Sequence, residues 1–260
     1  MFEVNELHPV SIHRRREMPE VNPTPAGKKI PHPAARAPRI FADSAEIDKI
    51  RALYEAGIIN GVTTNPTLLK RAGAKSWKQA KEMMKDICSL LSPDPVSLEL
   101  TETEPDAMVE QAAELAELGP DNAVIKVATG GYTALDESKD RHTGLKVLRR
   151  LWEKDIRTNA TLVFNTTQAL WAANAGAMYV SPFMGRLADY MYKNDHPERP
   201  TGNSLHYLED HKTPEGGPDR VANTAYVAND GAPKDAGVRL INEIVATFNQ
   251  YGIRSEVLAA

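Results

Sequence analysis

A lysine inside an apolar run, Lys126 in AVIKVA (123–128), is the residue of this chain best suited to covalent chemistry. Its neighbours of both parities are apolar, the pattern of a strand buried on both faces, where a charged ammonium is costly. Burial favours a neutral amine over an ammonium ion, and a neutral amine is a nucleophile toward carbonyls. A lysine buried only to snorkel or to pair with a carboxylate is the alternative, and the residue alone does not choose between them. Polar residues recur at the ends of other apolar runs: Asp43, then Thr63, Thr64 and Asn65, then Glu99, Asn159, Thr161 and Ser181, with Arg186 just beyond. A lysine for imine formation, carboxylates to move protons and an arginine for an anionic tail form one coherent chemistry. Gathered at one rim they read as an active site rather than as separate satisfied polar groups.

The elements that must gather them follow from the hydrophobic pattern. Strand-like runs occupy 39–44, 61–65, 96–100, 123–128, 158–164, 178–183 and 255–260. Amphipathic helical stretches lie between them at 45–57, 76–91, 105–119, 145–155, 166–176 and 237–252, several ending at a glycine, a usual helix stop. Strict β-α alternation predicts a parallel sheet with helical crossovers, and seven such strands predict a (β/α) barrel of TIM type. A doubly wound open sheet is the alternative, weakened because no G-x-G-x-x-G follows the first strand. In a barrel the C-terminal strand ends share one rim, which would bring the polar residues together.

Composition narrows the function classes. The 260 residues are 42% hydrophobic and 25% charged, ordinary for a soluble globular protein, and suit one large domain. A net charge of −4 supplies no basic field for nucleic acid. No apolar stretch is long enough to cross a membrane. The single cysteine, Cys88, lies on an apolar helix face as a small core residue; one cysteine fits a reducing cytoplasm and rules out an intrachain disulfide. Residues 1–39 hold seven prolines and the basic cluster Arg14 to Arg16, and are expected to form a poorly ordered arm without chemistry of its own. The barrel is expected over 40–260, interrupted by polar, turn-rich insertions near 129–143 and 193–234 that read equally as lids or as tolerated surface loops. Histidines 142, 196, 206 and 211 fall within these insertions, so no metal site is expected at the strand ends.

The segments FADS, GVTTNPTLL, VSLEL, VIKVA and TNATLVFNTTQALWAANAGAMYVSPFMGR follow one another in an order and spacing that resemble the transaldolase family. The last is the most specific, and the resemblance covers about 40–260. It implies a (β/α)8 barrel, a Schiff-base lysine, no cofactor and no metal, and transfer of a dihydroxyacetone unit between sugar phosphates in the pentose phosphate pathway. It assigns Lys126 as the nucleophile, Glu99 as an acid/base acting through a water, Thr161 as the residue orienting that water, and Asp43 as the base for the C4 hydroxyl. It assigns Asn65 and Asn159 to the intermediate's hydroxyls, Ser181 to a hydroxyl near the imine, Phe183 to packing and Arg186 to a substrate phosphate. The expected partners are sugar phosphates, with the acceptor sugar and homo-oligomer formation left open. An aldolase-only relative acting on fructose 6-phosphate is the nearest alternative. That branch resembles this chain less, having tyrosine, glutamine and alanine where Phe164, Glu99 and Ser181 stand here.

Two departures from the family pattern accompany the resemblance. The link 129–143 after the lysine strand is longer and more polar than the family's, and its Gly130-Gly131 pair reads as a turn. After EVLAA the family continues into a Ser-x-Arg phosphate segment, an eighth strand and final helices, none of which follows Ala260. The expectation is therefore a barrel lacking strand 8, either cut from a longer protein, which its length favours, or completed by another chain. The arm's prolines argue against its forming that strand. A weakly active barrel serving as a binding module is the corresponding alternative function.

Overall fold

Seven strands pair in chain order, β1-β2-β3-β4-β5-β6-β7, every neighbour parallel. In this computed structural model, residues 38–130, 140–195 and 235–260 are described. The chain divides into two units, Met1–Ile40 and Phe41–Ala260, and every strand and helix among the described residues belongs to the second. The strands are β1 (Ala42–Asp43), β2 (Val62–Thr63), β3 (Val96–Glu99), β4 (Ala123–Ala128), β5 (Thr158–Val163), β6 (Tyr179–Pro182) and β7 (Glu256–Val257). The helices are α1 (Ile47–Glu55), α2 (Pro66–Arg71), α3 (Trp77–Leu91), α4 (Pro105–Ala116), α5 (Thr143–Trp152), α6 (Thr166–Asn174), α7 (Met184–Asp195) and α8 (Ala236–Tyr251). A strand order without reversal has no switch point, so the doubly wound alternative is excluded and the barrel topology stands. The sheet curls: the ring of Phe41, just before β1, meets that of Tyr179 on β6 edge-on at 6.0 Å, although four strands separate β1 from β6 in the sheet.

Each of the seven expected strands is present, β4 with the bounds of its apolar run and the other six shorter than theirs. Two helices were not expected. Pro66 reads as a turn, yet it occupies the first position of α2, where no backbone N–H is required, and Asn65 Oδ1 caps the helix by accepting from Leu68 N at 2.9 Å. Helix α7 follows β6 with only Phe183 between them. The expected insertions and the 1–39 arm lie largely outside the described residues. No helix among the described residues is long and apolar enough to cross a membrane.

Pairing register sorts the strand residues onto two faces. Val62, Val96, Leu98, Ile125, Val127, Ala160 and Val180 occupy one face and are buried against helix residues such as Ile50, Met84, Ile87, Leu115, Leu148 and Ile244. Each fully buried aliphatic side chain contributes roughly 1.5–3 kcal/mol, so this layer fixes the register; a one-residue slip would turn it inside out. The opposite face carries Asp43, Thr63, Ser97, Glu99, Lys126, Asn159 and Thr161. Helices meet that frame closely. A Cβ on Gly144, in the first turn of α5, would collide with the Ala128 carbonyl oxygen, so α5 abuts the end of the lysine strand. Gly237 likewise lets the start of α8 reach the Met184 carbonyl at the start of α7.

Candidate active site

At the C-terminal ends of the strands the polar face opens into a cavity of about 490 Å³. Seven of the nine expected site residues line it: Asp43, Asn65, Lys126, Thr161, Ser181, Phe183 and Arg186. Glu99 and Asn159 do not line it, but each meets a residue that does. Lys126, 8% exposed, points its Nζ at Glu99 Oε2 at 3.1 Å, a neighbour fixed by the Glu99–Lys126 register of β3 and β4. Asn159, fully buried, is spanned by a hydrogen-bond chain: Ser181 Oγ donates to its Oδ1 at 2.7 Å and its Nδ2 donates to Ser97 Oγ at 3.1 Å. This direction commits the Ser181 proton to Asn159, so the hydroxyl facing the cavity can only accept.

An irregularity follows Thr161. Between Ala160 and Val163 the β5–β6 register shifts by one residue, and Leu162 carries the extra length at φ +58°. Such a bulge lets Ala160 and Val163 both face the helix layer, with Thr161 between them facing the cavity. A left-handed leucine costs about 1–3 kcal/mol, held here by surrounding bonds. Buried Thr129 supplies them: its N–H donates to Thr161 O at 3.0 Å, and its hydroxyl lies 3.1 Å from Thr161 O and 3.2 Å from Leu162 O. The Thr161 hydroxyl itself, 1% exposed, has no hydrogen-bond partner. A buried hydroxyl of this kind on a cavity wall suits a bound water or a ligand hydroxyl. Thr158 Oγ1 is also buried without a partner, on the helix side of the sheet; nothing in the structure explains it.

Across the cavity, Thr63 Oγ1 donates to Asp43 Oδ1 at 2.8 Å, and both residues line the space. Asn65 Oδ1 is used by the α2 cap, so its amide N–H groups are what it offers the cavity. Arg186 sits in the first turn of α7, with Asp189 one turn on, and both line the cavity. Phe183 stacks edge-on against Phe164 at 5.8 Å. The backbone after β7 forms the remaining wall: Gly185 N donates to Ala260 O, and Leu258, Ala259 and Ala260 line the space. Sequence reading missed Phe41, Ser97, Thr129 and Asp189. Ser97 and Thr129 were readable in kind, as polar residues within or just after buried strands. Of the histidines, His142 is described: it precedes α5, is exposed, and meets Trp171 edge-on. No group of three or more His, Cys, Asp or Glu side chains is gathered among the described residues.

Comparison with known proteins agrees with this architecture. The family model for transaldolase/fructose-6-phosphate aldolase matches residues 40–260. A probable transaldolase of Thermoplasma volcanium is 36% identical over 222 residues, covering 85% of this chain and 74% of its own. A probable transaldolase of Syntrophomonas wolfei is 37% identical over 222 residues, covering 85% and 76% respectively. One from Heliobacterium modesticaldum is 42% identical over 151 residues, 58% of this chain and 62% of its own.

Proposed function

Because the chain belongs to the transaldolase/fructose-6-phosphate aldolase family, whose chemistry is of aldolase type, we propose that it is a transaldolase. It moves a dihydroxyacetone unit from a ketose phosphate, sedoheptulose 7-phosphate or fructose 6-phosphate, to an aldose phosphate through a Schiff base on Lys126, as a step of the pentose phosphate pathway. The observation that carries this reading is Lys126, on the wall of a cavity shared with Asp43 and paired with Glu99 at 3.1 Å. Ion pairs this buried are poor stabilisers, and hydrophobic pairs of similar volume often serve as well or better, so stability alone does not account for the arrangement.

The steps follow from the positions. Lys126 Nζ adds to the C2 carbonyl, giving a carbinolamine. Glu99 passes a proton, through a water held at the Thr161 hydroxyl, to the carbinolamine oxygen, which leaves as water and yields the imine. Asp43 takes the C4 hydroxyl proton; the C3–C4 bond breaks, releasing the aldose phosphate and leaving its electron pair in a lysine-bound enamine. The enamine then adds to the acceptor aldehyde, and the steps reverse to free Lys126. Asn65 and Ser181 hold substrate hydroxyls, Asn159 sets the Ser181 rotamer, Phe183 packs the wall, and Arg186 takes the phosphate. Every group is a side chain of this chain; the sequence calls for no cofactor or metal.

The aldolase-only reading differs in the fate of the enamine, which is protonated to the imine and hydrolysed by water, freeing Lys126 and releasing dihydroxyacetone. Phe164, packed edge-on against Phe183, brings no hydroxyl to the rim, and this favours transfer. Borohydride reduction in the presence of fructose 6-phosphate is expected to fix an adduct at Lys126, read by peptide mass spectrometry. Folded protein without an adduct overturns the proposal. With an acceptor aldose phosphate absent, free dihydroxyacetone released at the rate of substrate cleavage would favour the aldolase alternative.

A further inference from the structure

We propose that Thr129 is the positioning residue that holds the backbone on either side of Leu162 and, through the Thr161 carbonyl, fixes the Thr161 hydroxyl on the cavity wall. This rests on the aldolase reading of the cavity for its kinetic consequence, but not for its structural content. Plain alternation along β5 would put Val163 on the cavity side with Thr161 and turn Leu162 into the helix layer. Instead Val163 is fully buried in that layer and Leu162 is 40% exposed at the rim. Leucine has no preference of its own for φ +58°, since its Cβ crowds the following carbonyl. Something outside the residue must hold it.

Thr129 is so placed. It is 4% exposed, follows the strand of Lys126, and offers its hydroxyl to the two carbonyls on either side of the strained residue's nitrogen and carbon, those of Thr161 and Leu162. Among the described residues no other side chain donates to either carbonyl. Orientation of a reacting water tolerates little error, so a displaced Thr161 slows the proton transfers without weakening substrate binding.

Three variants and one spectroscopic reading test this. T129V keeps the side chain's shape and removes the hydroxyl; kcat for transfer is expected to fall roughly 10- to 100-fold with KM within about twofold. T129S keeps the hydroxyl and is expected to stay within about threefold of the parent. In T129V the loss from T161A should largely vanish, because the water site is already displaced. L162G added to T129V should restore turnover, since glycine accepts positive φ without a strap. The Leu162 amide-to-α-proton coupling, read with the strong intraresidue amide-to-α-proton NOE of a left-handed residue, reports φ whatever the activity. A positive Leu162 φ persisting in T129V overturns the proposal, as does a T129V effect that multiplies with that of T161A. A T129S loss equal to T161A's also overturns it, and stands as the test if T129V does not fold. If the parent forms no borohydride adduct, the aldolase reading fails, and the Leu162 coupling alone decides the role of Thr129.

Discussion

The two ends of one parallel sheet follow opposite rules. Ahead of β3, β4 and β5, polar side chains tie loops to backbone: Asn122 Nδ2 donates to the carbonyls of Cys88 and Asp94, each at 2.9 Å. Arg157 donates to the carbonyls of Pro120 and Asp121, and Tyr54 Oη donates to Asp94 Oδ2 at 3.0 Å. At the other end, the Thr161 hydroxyl is unpartnered, Leu162 is strained, and Lys126 opens onto a cavity. Barrel proteins separate stability from function along the strand axis, the N-terminal face serving the first and the C-terminal face the second. The contrast here makes that separation measurable, because the same strands carry both sets of residues.

The sharpest way to break the contrast is at Lys126. Lys126→Met, combined with Glu99→Gln so that no charge is left alone, is expected to lower turnover roughly 10⁴-fold or more. Removing both members of a buried pair is often neutral or stabilising by about 1–4 kcal/mol, and since Glu99 is partly exposed the lower end applies. Initial rates and thermal denaturation measure the two sides. If the double variant lost more than about 2 kcal/mol of stability, the lysine would belong with the structural groups of the opposite end.

Asn122→Ala tests the other end. It removes two hydrogen bonds and leaves the Asp94 carbonyl without its side-chain partner, while that of Cys88 still accepts from the Ser92 N–H, a cost of about 1–3 kcal/mol. Denaturant titration should show that loss, while kcat per folded molecule stays within about twofold. Cys88 supplies an internal probe. Burial pushes its thiol up to about 12, with Arg157 acting weakly in the other direction, so it resists thiol reagents until this end opens. Labelling should therefore quicken in Asn122→Ala in step with the lost stability. A large fall in kcat without faster labelling would show that the two ends are coupled.

How far the sequence foretold this arrangement depended on period. Alternation with interleaved amphipathic helices gave all seven strands and their parallel order, because the helix-facing residues Val96, Leu98, Ile125 and Val127 leave no other register. The rim residues were legible because a lysine or carboxylate in an apolar strand is costly without a partner or a task. What escaped was local and conformational. Pro66 reads equally as a turn and as a first helical residue, and only the Asn65 cap distinguishes them. The bulge at Leu162 left no mark, since T-L-V-F fits a plain strand and no glycine advertises the left-handed position. The hydrogen bonds of Asn159 with Ser97 and Ser181 also left no mark, since polarity alone does not say which neighbours an amide meets.

The smallest expected effect lies at Tyr54, and it separates the ends by pH. Burial first, then the hydrogen bond to Asp94 and the charge of Asp94, raise the Tyr54 phenol above its ordinary value near 10. The folded chain thus keeps this proton at a pH where the unfolded chain has released it. The associated stability is fully present below about pH 10 and is lost as pH rises through the raised folded value. Tyr54→Phe removes both the bond and the titration, costing about 1 kcal/mol or less at neutral pH for a half-buried group. Other tyrosines and lysines titrate in the same window, so the difference between parent and variant is the quantity to follow: it should shrink as pH climbs past about 10. Chemical denaturation from pH 8 to 11 measures it. A difference that stays constant would mean that Tyr54 contributes shape rather than a proton. A difference in kcat per folded molecule at neutral pH would mean that the stabilising end reaches the cavity after all.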